Sequence, residues 1–473
     1  MLPDVALLEI FDSYLDPDDP DDPDDPDDEV TTAWHALVHV CRKWRNIVFG
    51  SPLRLNLRLY CEPHRTPVRK TIATWPALPI VVLCTRRSDI RYNEKWADNI
   101  VAIFEHSDRI CRLKLGIQSW QMEKVLAAMQ QPFPALTRIA LYCKGGETSP
   151  PVIPESFLGG SAPQLESLRL GCVPFPGLPK LLLSATRLVR LILWGIPHSG
   201  YISPETTVTC LSVLTRLESL EIHFESPQSR PDQRRRRSPP PTRTLLPVLT
   251  RLKFQGASEY LEELVARIDV PLLDFLNITF FHQLIFDTPQ LTEFISHRTP
   301  QFKAVDEAYL DFFDYIGRPN VALFSQEPFS TRLIFGVSCN QSDWQLSFMT
   351  QMCSSSFPRG LISTVENLYI EESNGNTEPP WQDDIEGSQW LELLHPFTGV
   401  KTLYISEEFT PRIAPALQEL VGERTTEALP ALQTLFLRDL FPSGPVQGAI
   451  VQFLAARQLA GCPVAVSRWR WEY

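Results

Sequence analysis

The chain has 473 residues, 44% of them hydrophobic and 21% charged, a composition that excludes a disordered polyelectrolyte and fits a folded globular protein. Its 42 prolines are about 9% of the chain against an average of about 5%, which argues against long uninterrupted helices. The net charge is −12, but ten of the acids lie between Asp16 and Glu29; without them 44 basic residues face 46 acidic ones, so a strongly charged body is excluded.

Ten cysteines and nine histidines are scattered singly, with no C-x-x-C, C-x-x-H or H-E-x-x-H spacing. Neither a structural zinc site nor a disulfide framework is predicted, and no cofactor is expected. The opening MLPDVALLEIFDSYL carries acids and no basic lead, and no eighteen apolar residues run together. No signal peptide or membrane span is expected, and a cytoplasmic or nuclear location follows. Asn277 and Asn340 match N-x-[ST], a chance match in a chain without a secretory route.

In chain order, the first predicted element is a helix over residues 2–15. Leu2, Val5, Ala6, Leu8, Ile10, Phe11 and Leu15 make it apolar on more than one side. Residues 16–29 follow as DPDDPDDPDDPDDE, where a proline at every third position forbids helix and like charges repel. An extended solvated loop is predicted there, without the Gly and Glu positions of a calcium loop. A second helix is capped by Thr31 or Thr32 and ended by Gly50 to Pro52, with Trp34, Leu37, Val38, Cys41, Trp44, Ile47 and Val48 on its apolar side. Two such helices cannot bury this much apolar surface alone.

These residues resemble an F-box. Leu2-Pro3, then Leu8, Ile10 and Phe11, then Val40-Cys41-Arg42 with Trp44-Arg45 and Val48 match that family's anchors over roughly fifty residues. With Phe49 to Leu57 the match looks like the F-box proteins expanded in mushroom-forming fungi. The resemblance implies a trihelical module over 1–52 that docks on the small Skp-type adaptor of a cullin-RING ubiquitin ligase. It implies adaptor contacts at Leu2, Pro3, Leu8, Ile10, Phe11, Cys41, Arg42 and Trp44. The acidic insertion departs from the family, whose first two helices are joined by a shorter link.

Residues 53–473 read as an irregular solenoid. Leu53, Leu55, Leu57 and Leu59, then Ile80 to Leu83, supply the first strands. From Ile110 onward the phrase L-x-x-L-x-L returns with substitutions, starting at Ile110, Leu136, Leu165, Leu188, Leu217, Leu249 and Leu273, and later at Val365, Val400 and Leu432. The first six steps average about 27 residues, within the span of leucine-rich repeats. Candidate helices lie between phrases at 122–130, 258–268, 388–394 and 449–461. Strand, turn and helix in repetition predict an α/β fold with a parallel sheet on one side and helices on the other. The body resembles the leucine-rich-repeat family, although the usual Asn position after each phrase holds Gln118, Lys144, Val173 and Ile196 instead. Residues 285–360 do not parse into repeats. A basic, proline-rich loop is predicted over about 227–247, and Arg234 to Arg237 within it are read as solvated.

No G-x-S-x-G, Walker or G-x-G-x-x-G motif occurs, and the chain is not expected to be an enzyme. In a strand the residues flanking the second Leu of each phrase face away from the core. Arg112, Lys114, Arg138, Arg169, Arg190, Arg251 and Lys253 occupy these positions, interrupted by Glu221, and Phe275, Tyr369, Tyr404 and Phe436 follow. Arg recognises acidic or phosphorylated groups and aromatic residues serve as anchors, so this face is the candidate site for an unknown protein target. The expected function is an F-box substrate receptor that presents its target through the solenoid. The alternative is a nucleic-acid-associated or scaffold repeat protein outside any ligase, although nucleic acid is not the expected partner because no groove-reading helix accompanies the Arg run.

Overall fold

Successive residues of each phrase alternate between core and surface, so each phrase closes as a short strand whose second and third apolar residues point inward. Leu168, Leu220, Leu252, Leu276, Leu368, Leu403 and Leu435 are fully shielded from solvent in this way. The computed structural model describes residues 3, 4, 6–8, 10, 40–50, 57–60, 69, 72, 78–83, 94–144, 150–231, 242–281, 287–298, 302, 305–312, 320–325, 332–338, 343–371, 387–437 and 444–468. Leu2, Phe11, Thr31, Thr32, Asn340, the acidic run 16–29 and Arg234 to Arg237 lie outside the described residues.

Packing divides the chain into two units. The first contains residues 1–202 and 213–217, the second 203–212 and 218–473. Among the described residues the first holds six parallel strands in chain order: β1 (Leu57–Tyr60), β2 (Ile80–Leu83), β3 (Ile110–Gln118), β4 (Arg138–Lys144), β5 (Ser167–Gly171) and β6 (Arg190–Ile196). Helices Glu94–Phe104, Ser119–Ala128 and Leu178–Ser184 alternate with them. Met122, Val125 and Leu126 of the second helix, and Leu178, Leu181 and Leu182 of the third, are buried. The helix expected over 122–130 thus begins three residues earlier, at Ser119.

In the second unit the strands are β7 (Ser219–Phe224), β8 (Thr244–Leu245), β9 (Arg251–Gly256), β10 (Ile268–Asp269), β11 (Phe275–Phe281), β12 (Glu307–Asp311), β13 (Asn320–Phe324), β14 (Arg332–Ser338), β15 (Asn367–Glu371), β16 (Thr402–Ile405), β17 (Thr434–Leu437) and β18 (Ala465–Arg468). β8 and β10 form a separate two-residue ladder. The remaining order is β7-β9-β11-β14-β13-β12-β15-β16-β17-β18. Helices Pro204–Leu211, Ser258–Val265, Asp343–Gln351, Gly387–Leu394, Thr410–Gln418 and Pro445–Leu459 belong to this unit. Several carry proline in their first turn, where its missing N–H is no loss. Ser203 caps the first of them by accepting from the Thr206 N–H at 3.3 Å.

The segment 285–360, which the repeat spacing leaves unparsed, holds a departure from the all-parallel sheet expected. β13 runs antiparallel to both β12 and β14, while β14 pairs parallel with β11 and β12 parallel with β15. The chain therefore passes β11, lays down β12 three places further on, and returns through β13 and β14 to fill the gap. An odd number of meander strands restores the parallel direction on both sides, so the repeat resumes at β15 without reversal.

Two buried charged groups fasten helices to neighbouring backbone. Glu262, on the helix Ser258–Val265, accepts from the N–H groups of Gln290 at 3.0 Å and Leu291 at 2.8 Å. These are orphan donors at the start of the short helix Pro289–Glu293. Arg457, fully buried on the helix Pro445–Leu459, donates to the carbonyls of Thr425, Leu429 and Leu432 at 3.0 to 3.1 Å.

A candidate interaction surface

With helices on one side of each sheet, the alternate strand residues form the opposite side, and register decides which of them meet. In the first unit Arg112 lies beside Arg138, then Ser167, then Arg190. The next row is Lys114, Ala140, Arg169 and Ile192; a third is Gly116, Tyr142, Gly171 and Trp194. Gln118 and Lys144 close the face. The outward positions of β3 to β6 thus carry Arg112, Lys114, Arg138, Lys144, Arg169 and Arg190 and no carboxylate.

Small residues let the long side chains lie along this face. A Cβ at Gly171 would collide with the Tyr142 ring, and one at Gly116 would sit 2.9 Å from Lys144 Cε. Trp194, next in register after Gly171, is half exposed. Tyr142 and Trp194 escape a reading confined to the phrase because they stand one residue past its last leucine; continuing the two-residue period would have found them.

The second unit arranges the same residue types differently. Lys253 forms an ion pair with Glu221 at 2.9 Å across β7 and β9, where the two are in register. The Arg251 guanidinium sits over the Phe275 ring at 4.9 Å, and that of Arg332 over Phe324 at 5.8 Å. Phe324 meets Tyr309 edge-on at 5.2 Å. Tyr309, Tyr369, Tyr404 and Phe436 then stack in register across β12, β15, β16 and β17, with centroids 4.3, 4.3 and 4.7 Å apart and planes within 8° of parallel. Arg251, Tyr369, Tyr404 and Phe436 are therefore brought into one continuous ladder of cations and rings. Tyr309, Phe324 and Arg332, which complete it, belong to the unparsed segment.

Ring faces inside the stack are occupied by other rings, so the ladder offers hydroxyls and ring edges outward. Burial pushes the Tyr309 phenol up to about 12, reinforced by Glu307 and Glu371, and pushes Tyr369 up as well. Beside the stack, Glu371 lies opposite Asp311 in register, and its carboxyl is pushed up to about 7, first by burial and then by the Asp311 charge.

On the helical side, a cleft of about 430 Å³ is lined by Ser354, Glu392, His395, Arg424 and Glu427 among others. Arg424 is held by Glu427 at 2.6 Å and approached by Glu419 at 3.8 Å. Among the described residues no group of three or more His, Cys, Asp or Glu side chains is gathered as for a metal ion, and no helix is long and apolar enough to cross a membrane.

Of the residues assigned to adaptor docking by resemblance, Pro3, Ile10, Cys41 and Arg42 are exposed, and Leu8 and Trp44 are partly buried. Cys41 stands just before the helix Arg42–Gly50, which carries Arg42 and Trp44. Lys43 reaches Asp4 at 3.1 Å, which ties the two N-terminal segments together, and Leu7 and Ile47 are buried.

No family model matches this chain, and no curated protein matches it. Among solved structures, the leucine-rich repeat-containing protein LegL7 from Legionella pneumophila is similar over 86% of this chain and 98% of its own, at 14% identity and a TM-score of 0.28. The repeat architecture rests on the strand register described above.

Proposed function

We propose that this chain is a substrate receptor whose N-terminal helices dock on a Skp-type adaptor and whose repeat body presents a protein target to a cullin-RING ligase. The receptor performs no chemistry of its own. The observation that carries the reading is the surface left by the N-terminal segments. Although Lys43 and Asp4 join them, Ile10 and Val40 remain 48% and 58% exposed. These are apolar residues of the motif by which the segment resembles an F-box, and apolar residues left exposed within it call for a partner surface.

The test is co-purification of a Skp-type adaptor with the tagged full chain. Because Ile10 and Val40 are exposed, Ile10→Asp with Val40→Asp leaves the folded core untouched and should abolish adaptor recovery, since a desolvated unpaired charge costs several kcal/mol at an interface. Adaptor recovery at wild-type yield from the double variant would remove the basis for this function.

A further inference from the structure

We infer that the face formed by the helix Pro445–Leu459 and the strand β18 pairs with the same face of a second copy of this chain. The inference is independent of the adaptor reading, which concerns the other end of the sequence. The helix reads PVQGAIVQFLAARQL, and a helix with apolar residues on every side needs cover on every side. Its one charged residue, Arg457, is fully buried, together with Ala449, Ile450 and Phe453. On the opposite side Gly448, Val451, Ala455 and Leu459 recur at three- and four-residue spacing and are exposed, Val451 at 56% and Leu459 at 90%. Glutamines supply the polar side chains there, so this helix exposes no charge at all. Other helices do: Asp98, Glu123 with Lys124, Lys180 and Glu392 are exposed on four of them. Loss of charge from an exposed surface is the compositional mark of an interface core, and it leaves a second copy nothing to repel.

The strand that follows the helix supplies the second observation. Among the described residues β18 pairs with β17 alone, at the end of the sheet. The Ala465 N–H donates to the Gln433 carbonyl at 2.8 Å, which turns the backbone groups of Ala465 and Ser467 toward β17 and those of Val466 and Arg468 toward the open edge. In a two-fold pairing centred on Ser467, Val466 of one copy lies opposite Arg468 of the other. These are the residues whose N–H and C=O groups point outward, so each such pair exchanges two hydrogen bonds. Arg468 then faces a valine and not its own counterpart, which avoids like charges directly opposite. The axis stands perpendicular to the sheet, so the helices of both copies remain on one side and their uncharged surfaces come together. One symmetry operator thus covers both the open edge and the exposed helix, whereas a charged partner of either sign would find no counter-charge on that helix. Its 15 residues are about 22 Å long and the helix-on-sheet layer is about 20 Å thick, which offers about 440 Å² per copy. The pair would bury about 900 Å², below the roughly 1,600 Å² of a standard complex and within the weak, reversible class, so a dissociation constant on the order of tens of micromolar is expected.

The test is sedimentation equilibrium of the purified full chain from about 2 to about 200 μM, which should show a closed equilibrium between monomer and dimer. Val451→Lys with Leu459→Lys, at exposed positions, should weaken dimerisation at least about tenfold. Val466→Pro removes an N–H that points away from β17, leaves the pairing with β17 in place and should weaken dimerisation about tenfold by a separate route, so the result does not depend on one variant folding. Trp120→Lys with Leu183→Lys, the same change at exposed apolar positions of the first unit, should leave the dimer within about twofold. A wild-type chain that stays monomeric up to about 200 μM would overturn the inference and leave the face to a different protein. Growth beyond the dimer would also overturn it, because a two-fold interface closes on itself. So would a dimer that neither the lysine pair nor the proline weakens.

Discussion

Replacing Tyr369 by Leu removes the middle of the aromatic ladder in the second unit. Its ring lies 4.3 Å from Tyr309 and 4.3 Å from Tyr404, with planes 6° and 8° from parallel. Aromatic pairs contribute about 0.5–1.5 kcal/mol beyond their area burial, so losing both should cost about 1–3 kcal/mol. Leu preserves most of the apolar contact, which keeps the transfer contribution small. Tyr404→Leu also breaks two stacks, whereas Phe436→Leu breaks only the one at 4.7 Å and should cost about half as much. The decisive quantity is the coupling between Tyr369→Leu and Tyr404→Leu. They share one stack, so the double variant should lose less than the sum by about 0.5–1.5 kcal/mol. Amide hydrogen exchange in β15 and β16 reads these values locally, without requiring the repeat body to unfold in one step. A coupling below about 0.3 kcal/mol with unchanged protection would refute the claim that the rings hold these strands together.

Two further outcomes follow from buried charge. The Glu371 carboxyl is raised above its ordinary value to about 7, so the folded chain holds its proton more tightly than the unfolded one; stability should fall as pH rises from about 4.5 through 7. Glu371→Gln should therefore raise the melting temperature at pH 8 and leave it unchanged at pH 4, and thermal melts showing no such pH dependence would reject the assignment. Arg457→Met should leave the buried carbonyls of Thr425 and Leu432 without the guanidinium donor they share and remove one of the two donors to Leu429, whose oxygen also accepts from the Leu432 N–H, at a cost of about 3 kcal/mol in urea unfolding. Arg457→Lys should not restore it, because an ammonium lacks the spread of the guanidinium fork.

The sequence by itself determined the strands and their inward side. Leucine at fixed spacing has one way to reach a common core, so Leu113, Leu168, Leu252 and Leu403 could be assigned inward without coordinates, and Arg138 and Tyr404 outward. The resemblance at the N-terminus is carried by two short stretches, Leu2 to Phe11 and Val40 to Val48, with the acidic run between them. What could not be read was anything that depends on which strands become neighbours. The phrase sets Arg138, Arg190 and Arg251 in the same slot, but register puts Arg112 and Ser167 on either side of Arg138 and places Phe275 beside Arg251. The meander β12 to β14 carries no repeat phrase, so the residues that complete the ladder, Tyr309, Phe324 and Arg332, had no signal tying them to Tyr369. Periodicity is a local property of the chain and fixes which way a side chain points. Pairing is a non-local one, decided only when strands distant in sequence close against each other, and it is pairing that sorts the outward residues into an aromatic ladder on β12 to β17 and a basic face on β3 to β6.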